Sequence, residues 1–239
     1  MTKLILTRHG QSTWNAENRF TGWVDVDLSE KGIKEAEKSG QIINDLNIKI
    51  NISYTSYLKR AIKTLTTILK KNNLELKFNT AWQLNERHYG SLTGLNKEET
   101  KKKIGEDQFK KYRRSWDIAP PAMEEESEYR ALFSPLNTSI PFGMSPFTES
   151  LKDTYDRVVP FYENEIKKNL TDGKNVLISA HGNSLRALCK YLFNISNIKI
   201  NELEIPTGNP LLIEFSNNLE IIKYYYLDEV RAKTIIFNQ

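Results

Sequence analysis

Two segments of this 239-residue chain share one order: a short apolar stretch, a histidine–glycine pair, and then a helical pattern. The first passes from Lys3–Thr7 into the Arg-His-Gly of residues 8–10, and the second from Val176–Ala180 into His181-Gly182. Short apolar runs that alternate with helical patterns are typical of parallel strands in an α/β fold. Open sheets of this kind bind ligands beyond the carboxyl ends of their strands. Both histidines are therefore expected at the ligand-binding edge of one sheet.

The remaining patterns extend this alternation. Ser29 is expected to cap a helix that runs to about Leu46. Two apolar runs near the C-terminus predict strands joined by a turn at Asn217-Asn218. The further elements predicted are a strand at Ile52–Thr55, helices at Tyr57–Lys71 and Asn183–Phe193, and the two strands Leu211–Phe215 and Leu219–Tyr226. Together they predict an α/β three-layer sandwich, a mainly parallel sheet with helices on both faces, as a single domain over residues 1–239.

An insertion at about residues 91–150 interrupts the alternation. It begins with a Lys- and Glu-rich pattern that predicts a helix over Lys97–Tyr112. It ends with Ala119–Pro146, a loop-like segment that contains five prolines. Connections of this length without regular structure are uncommon and are often functional. We expect this insertion to act as a lid.

Composition and charge exclude several classes of protein. The net charge of +4 suits a small anionic substrate, and no dense basic stripe of a nucleic-acid-binding module occurs. The single cysteine, Cys189, lies in an apolar helical pattern and is expected in the core, which fits a reducing compartment. The N-terminus runs directly into a strand, and no apolar run reaches the length of a membrane span. We expect a cytoplasmic protein without nucleic-acid or membrane partners.

The paired histidines predict phosphate chemistry. A lone histidine is more often a structural hydrogen-bonding residue, but two imidazoles beside helix N-termini lie where anions bind. Arg8 and Arg60 add positive charge with geometry suited to phosphate. A neutral imidazole can attack phosphorus when its other nitrogen is held in a hydrogen bond. No carboxylate cluster with metal-binding spacing and no phosphate-binding Gly-x-x-x-x-Gly-Lys loop occurs in the sequence, so we expect no metal.

Residues 8–15, RHGQSTWN, resemble the signature of the histidine phosphatase superfamily. Further segments narrow this to the bisphosphoglycerate-dependent phosphoglycerate mutases. These segments, in order, are residues 19–23, 57–61, 84–90, 94–97, 112–115, 180–186 and 205–208. The resemblance covers nearly the whole chain. It implies a glycolytic and gluconeogenic isomerase that interconverts 3-phosphoglycerate and 2-phosphoglycerate through a phosphohistidine primed by 2,3-bisphosphoglycerate. It also implies a homo-oligomer, a dimer, that binds phosphoglycerates.

The resemblance also implies roles for individual residues. His9 is the residue phosphorylated, Glu86 is the proton donor and acceptor, and Arg8, Arg60 and His181 hold the transferring phosphoryl group. The residues expected to bind substrate are Gly10, Gln11, Ser12, Asn15, Thr21, Gly22, Arg87, His88, Tyr89, Lys97, Arg113, Arg114, Gly182 and Asn183.

Several interpretations stay open at this point. Glu86 could instead be a surface carboxylate paired with Arg87. Arg113 and Arg114 are adjacent on the predicted helix and point in different directions, so both face one ligand only where the helix ends. Gln11 stands where the family usually has glutamate, and residues 129–147 match the family in length only.

Two other functions compete with the mutase. One is a phosphatase of the same superfamily, in which water accepts the phosphoryl group. The other is a non-catalytic protein that binds phosphorylated metabolites. The complete set of His9, Glu86 and His181 argues against the second.

Overall fold

The computed structural model of the protein describes residues 1–75 and 77–232. Residues 233–239, which belong to the predicted domain, lie outside the described residues. Within the described part, six strands form one sheet in the order β3-β2-β4-β1-β5-β6. The strands are β1 (Thr2–Arg8), β2 (Ile52–Thr55), β3 (Asn79–Thr80), β4 (Val176–Ala180), β5 (Leu211–Phe215) and β6 (Ile221–Tyr226).

The pairing places the two histidine-bearing strands side by side. β1 and β4 are parallel, with Leu4 opposite Val176 and Arg8 opposite Ala180. β2 pairs in parallel with β4 and with β3. β5 runs antiparallel to both β1 and β6. The predicted fold class is confirmed, and residues 9 and 181 leave the sheet at the same edge.

Helices cover both faces of the sheet. They are α1 (Thr13–Ala16), α2 (Glu30–Asp45), α3 (Lys59–Lys71), α4 (Lys97–Ile104), α5 (Glu106–Arg114), α6 (Leu151–Phe161), α7 (Lys167–Thr171) and α8 (Gly182–Leu192). Along β1 the side chains alternate between the faces, because successive residues of a strand point to opposite sides. Ile5 packs with Ile43 and Leu65 of α2 and α3. Leu4 joins the opposite cluster, which contains residues of α6 and α8.

Several predicted boundaries were wrong. The helix predicted over Lys97–Tyr112 is divided into α4 and α5, because Gly105 adopts a φ of 83°. The last strand begins at Ile221 rather than Leu219, which has a φ of 58° and completes the turn by donating to Ser216 O. Residues 151–171, for which no helix was predicted, form α6, a π-helical turn at Tyr162–Ile166 and α7.

The second half of the insertion is folded onto the domain. It contains two 3₁₀ turns, Glu128–Leu132 and Pro135–Ser139. The backbone N–H of Asp25 donates to Leu132 O, and Met123 N–H donates to Phe147 O. The first bond ties the proline-rich segment to the loop that follows α1, and the second joins the two ends of the segment to each other.

Cys189 is fully buried, and burial raises the pKa of its thiol to about 12. No helix in residues 1–75 or 77–232 has the length and apolar character needed to cross a membrane.

Candidate active site

The turn after β1 rests directly on the first turn of α2. The His9 N–H donates to Ala180 O over 3.0 Å, which ties this turn to β4. A Cβ atom on Gly10 would lie 2.1 Å from Gly32 O, and one on Gly32 would lie 2.0 Å from Gln11 O. Only glycine permits both backbone approaches. The contact fixes the position of His9 relative to the helix.

The surroundings of His9 fix the tautomer of its imidazole and leave one ring nitrogen unprotonated. Its side chain is buried, and Nδ1 lies 2.6 Å from Gly10 O. A carbonyl oxygen only accepts, so the proton is on Nδ1 and the lone pair is on Nε2. Burial, with Arg60 and Arg8 nearby, lowers the pKa of His9 well below its usual value. The imidazole is therefore neutral at pH 7, with Nε2 3.4 Å from Arg60 Nε.

His181 lies against His9. The two ring centroids are 4.9 Å apart with the planes at 62°. Nε2 of His181 shares a hydrogen bond of 2.7 Å with Ser56 Oγ. Its Nδ1 is buried and has no hydrogen-bond partner among the described residues. Burial, together with Arg60, lowers the pKa of His181 well below its usual value.

Two arginines supply the positive charge beside the histidines. Arg60 is 1% exposed and donates to Val24 O and Gly22 O, each over 2.8 Å. Burial lowers its pKa to about 10, so it remains charged at pH 7. Gly22 has a φ of 54°, which orients its carbonyl toward this guanidinium. Arg8 donates through Nη1 to Ile205 O over 2.8 Å.

Glu86 is buried at the same edge of the sheet, with 8% of its surface exposed. Its Oε1 accepts from the backbone N–H of Arg87 at 2.8 Å and of Asn183 at 3.1 Å. The Arg87 guanidinium points elsewhere, to Tyr112 O at 2.9 Å and Arg113 O at 3.2 Å. The alternative of a surface carboxylate paired with Arg87 is therefore wrong.

A polar cleft of about 290 Å³ extends from these residues. It is lined by Arg8, Glu86, Tyr89, Arg113, Arg114, Gly182, Asn183, Arg186, Glu204 and Ile205. Arg113 and Arg114 both reach it because α5 ends at Arg114. Arg114 Nη2 is 2.5 Å from Glu204 Oε1. Burial, with Arg113 and Arg8 among its neighbours, lowers the pKa of Lys97 beside this cleft.

Several buried donors near the cleft lack a protein acceptor. Among the described residues, the buried side-chain polar atoms without a partner include Arg8 Nε, Thr21 Oγ1, Arg87 Nε and Nη1, His181 Nδ1 and Arg186 Nε. Buried polar groups are nearly always hydrogen-bonded, so several unpaired buried donors in one place indicate a missing binding partner. Most are cationic donors, and a bound anion rich in oxygen atoms would satisfy the donors of Arg8 and Arg87.

Three of the expected substrate-binding residues have structural hydrogen bonds. Ser12 and Asn15 form a capping box at the N-terminus of α1. Gln11 Oε1 accepts from Ser29 Oγ over 2.9 Å at the start of α2. These contacts hold the loop after His9 in shape.

The structure does not bring His88 to the cleft. Its ring packs against Trp23 and Phe133, and Nδ1 accepts from the N–H of Gly90 over 3.0 Å. Burial lowers its pKa to about 3. The contacts of the His88 side chain are those of a neutral core residue.

Sequence reasoning assigned no role to Ser56, Arg157, Arg186 or Glu204. Ser56 follows β2, so the rule that ligands bind at the carboxyl ends of strands could have indicated it. Arg186 lies within one of the resembling segments, residues 180–186. Glu204 gave no local signal, because its partner Arg114 is 90 residues away. Arg157 pairs with Glu149 eight residues away, but the carbonyls that it binds next to Glu86 are 71 to 74 residues away.

Comparison with known proteins agrees with the geometry. The family model of the histidine phosphatase superfamily (branch 1) matches residues 4–136 and 133–227. A 2,3-bisphosphoglycerate-dependent phosphoglycerate mutase of Pelagibacter ubique (strain HTCC1062) is 54% identical over 236 residues, 99% of each chain. One of Staphylococcus saprophyticus is 52% identical over 228 residues, covering 95% of this chain and 100% of that protein.

Solved structures with low sequence identity share the fold. A mycobacterial glucosyl-3-phosphoglycerate phosphatase in complex with VO3 superposes with a TM-score of 0.72 at 19% identity. The match covers 95% of this chain and 97% of that one.

Proposed function

This chain belongs to the histidine phosphatase superfamily, branch 1, and we propose that it is a phosphoglycerate mutase that depends on 2,3-bisphosphoglycerate. It interconverts 3-phosphoglycerate and 2-phosphoglycerate. The observation that carries the proposal is the neutral His9 with its Nε2 lone pair beside Arg60, next to a cleft with orphaned buried cationic donors.

The first step loads His9. Its Nε2 attacks one phosphorus of 2,3-bisphosphoglycerate, and the bond from that phosphorus to the substrate oxygen breaks. The departing oxygen takes a proton from Glu86 in its protonated form. Arg8, Arg60 and His181 stabilise the equatorial oxygens of the transferring group, since phosphoryl transfer depends mainly on positioning and charge.

The second step returns the phosphoryl group. Glu86, now a carboxylate, accepts the proton of the phosphoglycerate hydroxyl as that oxygen attacks phosphorus. The bond from His9 Nε2 to phosphorus breaks, and the imidazole is neutral again. Reorientation of the bisphosphate before the next transfer yields the other isomer.

The remaining cations hold the far end of the substrate. Arg87, Lys97, Arg113 and Arg114 suit a carboxylate and a second phosphate, while Gly182 and Asn183 line the same cleft. Gly10, Gln11, Ser12, Asn15, Thr21 and Gly22 complete the binding site, and His88 supports it from the core.

The same cationic cleft favours a mutase over a phosphatase. A mutase must retain its bisphosphate and keep water from phospho-His9, and cations on a closing insertion do both.

We further propose that the protein is cytoplasmic and that it forms a homodimer. Light scattering of the purified protein would test the oligomeric state.

Radiolabelled 2,3-bisphosphoglycerate tests the nucleophile. We expect an adduct on His9 that is labile in acid and stable in base, and His9→Ala should abolish both labelling and turnover. Labelling that persists in His9→Ala would remove His9 from this role.

Measured side by side, isomerisation should far exceed hydrolysis of 2,3-bisphosphoglycerate. Arg113→Ala with Arg114→Ala should weaken substrate binding and raise the hydrolysed fraction. Hydrolysis of phosphoglycerates as fast as isomerisation would establish the phosphatase instead.

A further inference from the structure

Arg186 faces the cleft from α8, three residues after Asn183. Residues at this spacing are neighbours on one helix face. Arg186 is 4% exposed, and its Nη1 donates to Asn183 Oδ1 over 2.7 Å. Its Nη2 donates to Ile200 O over 2.7 Å, which anchors the guanidinium from the other side.

This contact fixes the orientation of the Asn183 side-chain amide. A guanidinium has donors only, so the amide atom that faces Arg186 must be the oxygen. The amide nitrogen then faces the other way, where Asn183 Nδ2 lies 3.0 Å from Tyr89 OH. A side-chain NH₂ only donates, so the Tyr89 oxygen accepts this bond.

The two hydrogen bonds therefore run in one direction: Arg186 donates to Asn183, and Asn183 donates to Tyr89. Because the phenol oxygen accepts from Asn183, its proton must be directed elsewhere, and Tyr89 lines the cleft. We infer that Arg186 is a positioning residue that sets this hydrogen-bond direction, so that Tyr89 OH donates to an oxygen of the bound phosphoglycerate. The inference rests on the proposed function.

The surroundings of Tyr89 strengthen it as a donor. The Arg87 guanidinium carbon lies 4.6 Å from the Tyr89 ring centroid. Burial would raise the pKa of Tyr89, but Arg87 and Lys97 more than offset it, and the pKa is lowered. A more acidic phenol is a stronger donor to an anionic oxygen.

The proposed role predicts an effect on KM rather than kcat. Glu86 Oε1 accepts from the backbone N–H of Asn183. If the Asn183 side-chain amide rotates after the loss of Arg186, this backbone N–H stays in place. Losing Arg186 should therefore remove a substrate hydrogen bond without moving Glu86. We expect Arg186→Met to raise KM for 3-phosphoglycerate roughly three- to tenfold, the scale of one lost hydrogen bond, with kcat changed by less than about twofold.

A double-mutant cycle with Tyr89→Phe separates this role from general structural damage. If Arg186 acts through the Tyr89 proton, the double variant should raise KM no more than Tyr89→Phe alone. Arg186→Lys, which keeps a donor-only head group, should lie closer to wild type. Lys190→Met, one turn further along α8 and over the Trp116 ring, is the matched control and should leave KM unchanged.

The outcomes are distinguishable. A wild-type protein without mutase turnover refutes the proposed function itself. Normal wild-type turnover with an unchanged KM in Arg186→Met, or with effects that multiply in the double variant, refutes the inference. Circular dichroism checks folding, and if Arg186→Met does not fold, Arg186→Leu takes its place in the cycle because leucine also lacks a donor.

Discussion

Replacing Arg157 with methionine should lower the free energy of unfolding by about 3–5 kcal/mol, the usual cost of removing one partner of a buried ion pair. Arg157 Nε lies 2.6 Å from Glu149 Oε1, and Nη2 lies 3.0 Å from Oε2. The two side chains are 7% and 4% exposed. Without the guanidinium, the Glu149 carboxylate stays buried with no counterion.

The same guanidinium supports the segment that carries Glu86. Arg157 Nη1 donates to Gln83 O at 2.6 Å and Asn85 O at 3.1 Å, and Nη2 donates to Glu86 O at 3.1 Å. Trp23 Nε1 also donates to Glu86 O, so this carbonyl keeps one donor in the variant. Because Gln83 O and Asn85 O lose the Arg157 donor beside Glu86, we expect kcat to fall even at temperatures where the variant is folded.

The expected shift in Tm follows from the size of the chain. Unfolding entropy is about 2.1 cal/mol/K per residue. For 239 residues the total is about 0.5 kcal/mol/K. A loss of about 3–5 kcal/mol then lowers Tm by about 6–10 °C.

Thermal and urea unfolding of both proteins measures this difference. Lys152→Met is the matched control, because Lys152 pairs with Asp156 on the same helix but the pair is exposed, and its midpoint should not change. The double replacement of Glu149 and Arg157 by methionine should be less destabilised than Arg157→Met alone, since no charge is left unpaired. A fall in Tm below about 2 °C for Arg157→Met, less than 1 kcal/mol, would refute the reasoning.

Three further changes test other parts of the structure. Glu86→Gln should cut kcat by roughly two to four decades with KM little changed, and an unchanged kcat would make Glu86 structural. Burial lowers the pKa of His9, His88 and His181 in the folded state. As the pH falls, these histidines therefore take up protons in the unfolded chain at a higher pH than in the folded protein. Stability should be complete above about pH 6.5 and fall by about 1.4 kcal/mol per pH unit per histidine below it. Urea unfolding at pH 7 and pH 5 measures this, and equal midpoints would contradict it. Gly32→Ala should destabilise the fold and lower kcat, because its Cβ would lie 2.0 Å from Gln11 O. Replacement of the exposed neighbouring Lys31 by alanine is the control, and equal activity of the two variants would argue against the contact.

The central strands and the positions of both histidines could be predicted from the sequence. The strands Ile52–Thr55, Val176–Ala180 and Leu211–Phe215 begin and end where the pattern indicated. Apolar runs and capping residues are local signals, and the rule that parallel strands end at one edge converts them into a site. The same rule applied to Ser56 would have found the partner of His181.

Other features were present in the sequence but were not recognised. Gly105 divides the Lys-rich helix, and the Ser150–Asp153 capping box begins the helical stretch over residues 151–171. Pro160 lies inside that stretch and weakens the helical signal, since proline lacks a backbone donor. These errors concern local rules, not tertiary effects.

The chemistry of individual side chains was decided by the tertiary structure. Glu86 contacts Asn183 across 97 residues of sequence, and Arg157 reaches Glu86 across 71. The direction of the hydrogen bonds from Arg186 to Tyr89 depends on three side chains meeting in one cleft. A sequence pattern records which groups a chain carries and which face they occupy. Burial, protonation and hydrogen-bond direction depend on neighbours that only the folded chain brings together.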